Sequence, residues 1–188
     1  MNRRRLAFTA VAVVTVLCIV SVAIAAVAAG GSAIAYLVNG TRVSQQTFDQ
    51  QLDEIASNEV TKKQASQTNG SVSSKIAAQV MNLYIFRDLL HQVADKRGVE
   101  LTDADRAAGV DAAKTQLGAN YAKAPAKYRD VLASLFSYVN ALGLTSTTID
   151  TFLGKQARQA DVYVNPRYGQ WRPARGGVCP PSGCSTTG

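Results

Sequence analysis

The chain has 188 residues, 47% of them hydrophobic and 18% charged, and carries a formal net charge of +7. Three of its basic residues, Arg3, Arg4 and Arg5, sit at the start; beyond residue 30, seventeen basic side chains face thirteen acidic ones, a formal charge of +4. Lys62-Lys63, Lys96-Arg97 and Arg172 with Arg175 are dispersed among acids, so no nucleic-acid stripe is formed. The 158 residues after position 30 suit one domain with a modest core and exclude a second independent one.

Leu6 to Ala29 is an uncharged apolar run of twenty-four residues, long enough as a helix to cross a hydrocarbon core of roughly 30 Å. The arginines before it favour a cytoplasmic N-terminus and export of the rest. Residues 1–30 are therefore expected to be a transmembrane anchor or a cleaved signal peptide, since Ala26-Val27-Ala28 and Ala33-Ile34-Ala35 have the small-x-small form of a cleavage site. The expected location is the cell membrane with an extracytoplasmic domain, or secretion if cleavage occurs. Cys18 lies inside the run behind the bulky Leu17 and reads as a membrane-helix side chain rather than a lipidation site.

Ile34–Val38 reads as a short strand, Asn39-Gly40 as a tight turn, and Thr41–Val43 as the return strand. Ser44 caps a helix over 45–56 whose face carries Phe48, Leu52 and Ile55. Asn58 to Val72 is polar and reads as a loop. The longest helix starts at Ser73 or Ser74 and stops before Gly98, with Ile76, Val80, Leu83, Ile85 or Phe86, Leu90 and Val93 as its apolar stripe. Thr102 caps a third, alanine-rich helix with Asp105 in a capping box; a fourth spans about 125–141, and a fifth opens at Thr145 or Ser146.

Asp161–Asn165 switches to strand periodicity. A lone strand cannot satisfy its edges, so it is expected to pair with Ile34–Val38 and tie the two ends together. Pro166 ends that ladder, and the Gly-, Pro- and Ser-rich stretch from Arg167 reads as exposed chain, with 174–188 a flexible tail. Cys179 and Cys184, spaced Cys-Pro-Pro-Ser-Gly-Cys, can close a local disulfide in an oxidising compartment; with no histidine beside them they do not make a zinc site.

Catalytic chemistry finds little purchase. His91 has Asp88 and Asp95 three and four residues away, a spacing that helical charge patterning explains without a metal or a general base. Asp103 and Asp105 occupy a helix's first turn, where negative charge is favourable for structural reasons. No Gly-x-Ser-x-Gly elbow or Gly-rich phosphate loop occurs. No catalytic, cofactor-binding or metal residue is assigned, and the chain is expected not to be an enzyme. Tyr163, Pro166, Arg167, Tyr168, Trp171, Arg172 and Pro173 can form a recognition surface or clamp the chain end to the bundle; the clamp is preferred, because Tyr168 or Trp171 would cover an apolar seam.

The segment Ala35-Tyr36-Leu37-Val38-Asn39-Gly40-Thr41-Arg42-Val43-Ser44, followed by Phe48 and Leu52, resembles the opening of SurA and PrsA type exported chaperones. Asp161-Val162-Tyr163-Val164-Asn165-Pro166-Arg167-Tyr168-Gly169, then Trp171, is similar to the closing segment of such proteins. The resemblance implies a mainly α chain: a membrane or signal helix, then a SurA N-terminal-like helical domain over 31–173 with a small sheet joining its ends. It further implies an ATP-independent holdase for unfolded exported polypeptides, without cofactor. The parvulin isomerase domain common in the family finds no room among these helices. The alternative is a noncatalytic envelope interaction or assembly factor on the same scaffold. Tyr84, Phe86, Tyr128, Phe136 and Tyr138 are candidates for client surface and equally for core.

Overall fold

A computed structural model describes residues 33–59, 61, 72–181 and 183. Strand β1 (Ile34–Val38) is the centre of a three-stranded antiparallel sheet of order β2-β1-β3, flanked by β2 (Thr41–Ser44) and by β3 (Val162–Val164) from the far end of the domain. Asn39 and Gly40 have φ of 47° and 89°, the paired positive values of a two-residue hairpin turn, as the Asn-Gly dipeptide led one to expect. In the second ladder Tyr36 faces Val164, Leu37 faces Tyr163 and Val38 faces Val162, which closes the domain end to end.

Helix α1 (Gln45–Ser57) follows β2 without a loop, because Ser44 both ends the strand and caps the helix, its hydroxyl accepting from Thr47 N. The long helix α2 (Ser74–Lys96) starts on the Ser73 cap and is closed by Gly98 N donating to Asp95 O and Val99 N donating to Ala94 O. Helix α3 (Asp103–Leu117) has the reciprocal Thr102–Asp105 capping box and runs into a 3-10 turn, Gly118–Lys123. Helix α4 (Ala126–Ala141) packs extensively on α3, and α5 (Ile149–Gln159) lies beside α2. The α5 start sits later than the sequence suggested: Thr145 to Thr148 form a hydrogen-bonded turn, with Thr145 N donating to Thr148 Oγ1.

Among the described residues, two clusters make the interior. The main one unites β1, α1, α2 and the closing segment around Phe48, whose ring meets Tyr36, Tyr84 and Tyr168 edge-on at centroid distances of 6.4, 6.1 and 4.9 Å. The smaller one lies between α3 and α4, where Gly109 brings the helices so close that a β-carbon there would overlap Ser137 Oγ and the Ala133 carbonyl oxygen. The alanine-rich α3 packs through small residues, with Gly109 and Ala113 as its buried positions.

No helix among the described residues is long and apolar enough to cross a membrane. The segment 1–30, on which the membrane or signal helix rested, lies outside the described residues, as do Cys18 and most of the 58–72 loop. The fold is thus the helical domain with its small sheet, and the described residues contain no membrane-spanning helix to supply the expected anchor, the membrane partner or the membrane location. The stretch after Pro166 also departs from the expectation of exposed chain. Strands β4 (Gln170–Arg172) and β5 (Gly177–Cys179) pair as a hairpin around the turn Pro173–Arg175 and dock on α2. Composition misleads here because the ordering force is a long-range contact with α2. Cys179 is disulfide-bonded, and Cys184 lies outside the described residues.

Candidate functional site

The structure separates the acidic neighbours of His91. Asp88 turns inward and is buried, accepting from Tyr36 Oη at 2.9 Å while Arg87 Nη2 sits 2.6 Å from its other oxygen. His91 stays exposed, 3.3 Å from Asp95 and with its ring 5.3 Å from that of Tyr138. Among the described residues no group of three or more His, Cys, Asp or Glu is placed to hold a metal. Asp105 Oδ2 accepts from the Thr102 backbone and hydroxyl, and Oδ1 accepts from Asn140 of α4; these hydrogen bonds hold its carboxyl below the usual range. Asp103 is exposed in the same first turn.

The closing segment carries the densest set of specific contacts. Tyr168 is buried, with its hydroxyl donating to Asp49 Oδ1 at 2.7 Å, and Arg167 Nη1 reaches Asp49 Oδ2 at 3.2 Å. Burial first, and then the Asp49 hydrogen bond, raise the Tyr168 pKa. Trp171 lies edge-on to Phe86 at 6.4 Å. Asn82, in the middle of α2, accepts from Val178 N at 2.6 Å and donates to Val178 O at 3.3 Å, so one side-chain amide satisfies an extended residue's backbone on both sides. Gly177 approaches so closely that a β-carbon would overlap that amide. Tyr168 and Trp171 thus clamp the chain end, while Tyr163 is 47% exposed, alone among the described large apolar side chains.

Of the client-surface candidates, Tyr84 belongs to the core, at 4% exposure, and burial lifts its pKa to about 12. Phe86, Tyr128, Phe136 and Tyr138 are half-buried, each with one side on a cluster or a neighbouring ring and the other accessible. Sequence reasoning missed Asp49 and Asn82. The polar Asn82 between Met81 and Leu83 was the available signal for the second.

In comparison with known families, the chain matches the SurA-like N-terminal domain over residues 2–120. The chain belongs to this family. The matched stretch ends in the turn after α3, and beyond it α4 packs against α3 and β3 pairs with β1. Family membership gives the SurA-like chain a chaperone-like role in general terms. No curated protein and no solved structure matches the chain.

Proposed function

We propose that this SurA-like domain is an ATP-independent, non-enzymatic holdase that binds apolar segments of unfolded polypeptides. Family membership is the observation that carries the reading. The geometry supports it in two ways. The end-to-end β1–β3 closure and the Phe48 aromatic cluster give a scaffold that stays folded while it holds a client. The half-buried aromatics Phe86, Tyr128, Phe136 and Tyr138 offer apolar area without a large exposed patch that would make the free protein self-associate. Binding of this kind is driven by burial of apolar surface and requires no nucleotide.

The test is aggregation of several chemically unfolded, unrelated proteins with and without the purified protein, in the absence of ATP. Suppression of most of them at comparable stoichiometry is the expected result. Failure to suppress any, with the domain folded by circular dichroism, rejects the holdase and leaves a module for one specific partner.

A further inference from the structure

The β4–β5 hairpin occupies α2 in a manner that an unfolded client would reproduce. Asn82 reads the N–H and C=O of a single extended residue, Val178, and nothing in that pair of bonds depends on the side chain being held. Val178 itself is buried in the main cluster, and Gly177 before it is needed because the backbone runs directly against the Asn82 amide. One turn along α2, Phe86 takes the Trp171 ring. From this geometry we infer that the Asn82–Phe86 face of α2 is a polypeptide-binding site, filled in cis by residues 170–179, which accepts an extended segment with a small residue before an aliphatic one. The inference rests on the chaperone reading and names its site.

The hairpin is built as a releasable occupant. It stands outside the three-stranded sheet, and the domain is already closed upstream of it by the β1–β3 ladder and by Tyr168 and Arg167 on Asp49. Each of its strands has three residues, and a two-stranded ribbon of that size has little stability of its own. Its seat is also imperfect: Trp171 Nε1 is buried with no hydrogen-bond partner among the described residues. A segment held this way opens at a lower free energy than the sheet behind it. Competition with the tethered copy lowers the apparent affinity for an external segment by the fraction of time the site stands open, so weakening the hairpin raises that affinity.

The probe is a fluorescent peptide of residues 170–180 carrying Cys179→Ser, with a scrambled peptide as control, added to the full chain. Gly177→Ala, which overlaps the Asn82 amide and strains a φ of 149°, is expected to loosen the chain's own strand on Asn82, and Trp171→Ala to loosen the same hairpin from Phe86. Each is expected to bind the peptide about tenfold more tightly than the unaltered protein. Adding Asn82→Ala to either removes the gain, and the scrambled peptide does not bind. Folded Gly177→Ala and Trp171→Ala proteins that bind no better than the parent overturn the site. Hydrogen exchange on the unaltered protein tests the same point without mutation: the Val178 amide is expected to exchange faster than that of Leu37, and exchange of both only at the rate of global unfolding overturns the releasable hairpin. Aggregation assays run in parallel separate the two readings. Suppression that persists unchanged in Asn82→Ala, together with unchanged peptide binding, rejects the site and keeps the holdase. Peptide binding through Asn82 without any suppression keeps the site and rejects the holdase.

Discussion

The Tyr36 hydroxyl on the central strand donates to Asp88 Oδ2 on α2 at 2.9 Å, joining two buried polar groups fifty-two residues apart. The bond fixes the register of sheet against helix, because sliding α2 by one turn would leave a phenol and a carboxylate buried without each other. Arg87 supplies the counter-charge at 2.6 Å and lies over the Tyr84 ring at 5.6 Å. The carboxylate is thus solvated by the protein rather than by water.

Tyr36→Phe is expected to destabilise the domain by about 1–3 kcal/mol, the cost of leaving a buried acceptor short of a donor. Asp88→Asn in the same background should add less than it does alone, since the two side chains share one interaction. Urea denaturation of the four proteins of this cycle measures the coupling. Strict additivity would show that the contact contributes no specific stability.

Alkaline pH should unfold the domain earlier than its secondary structure alone would suggest. Burial raises the pKa of Tyr84 to about 12, and burial, followed by Asp88, raises that of Tyr36 further. In the unfolded chain these phenols ionise near pH 10. Their contribution is fully present below that value and declines above it, because the unfolded state then loses protons that the folded state keeps. For Tyr84 the loss runs from about pH 10 to about pH 12. Tyr84→Phe should flatten this decline in denaturation midpoints taken across that range; an unchanged slope would remove Tyr84 as a cause.

Asn39 combines two roles that substitutions can separate. Its φ of 47° builds the hairpin turn. Its side chain accepts from Asp161 N at 2.9 Å and donates to Gln92 Oε1 at 2.6 Å, connecting the turn to the residue before β3 and to α2. Asn39→Gly keeps the turn and loses the side-chain bonds, at an expected cost of about 1 kcal/mol. Asn39→Ala loses both, and left-handed backbone adds about 1 kcal/mol more. Thermal melts that rank alanine as equal to or better than glycine would contradict the role of the positive φ.

What could be read from the chain was what local chemistry decides. The Asn39-Gly40 turn, the Ser44 cap and the Thr102–Asp105 box are each settled within four residues. Pairing of the two chain ends followed from an edge that had to be satisfied, and the β1–β3 ladder meets that need. The hairpin after Pro166 was not legible, because its order depends on Asn82, ninety-six residues before Val178. The same holds for Asp88: helix spacing put it near His91, while its partner Tyr36 comes from another element. Five aromatics were named whose direction the sequence left open, and the structure decides one of them by packing Tyr84 edge-on against Phe48 in the core.

The α3–α4 contact gives the sharpest steric test. Gly109 faces Ala133 and Ser137 with no space for a methyl group, and two of the three atoms such a group would meet are backbone, which a rotamer change cannot move. Ser137 has its own reason to stay, since its hydroxyl donates to Ala133 O at 2.9 Å inside the buried contact. Gly109→Ala should therefore push the helices apart and cost about 1–3 kcal/mol, the range for overfilling a packed interior. Ser137→Gly should recover only part of this loss, by removing the Oγ overlap and leaving the Ala133 carbonyl in place. Guanidinium denaturation of the single and double variants decides between the alternatives. Full recovery would mean that the clash is with the side chain alone, and no loss at all would mean that the two helices are free to separate at this crossing.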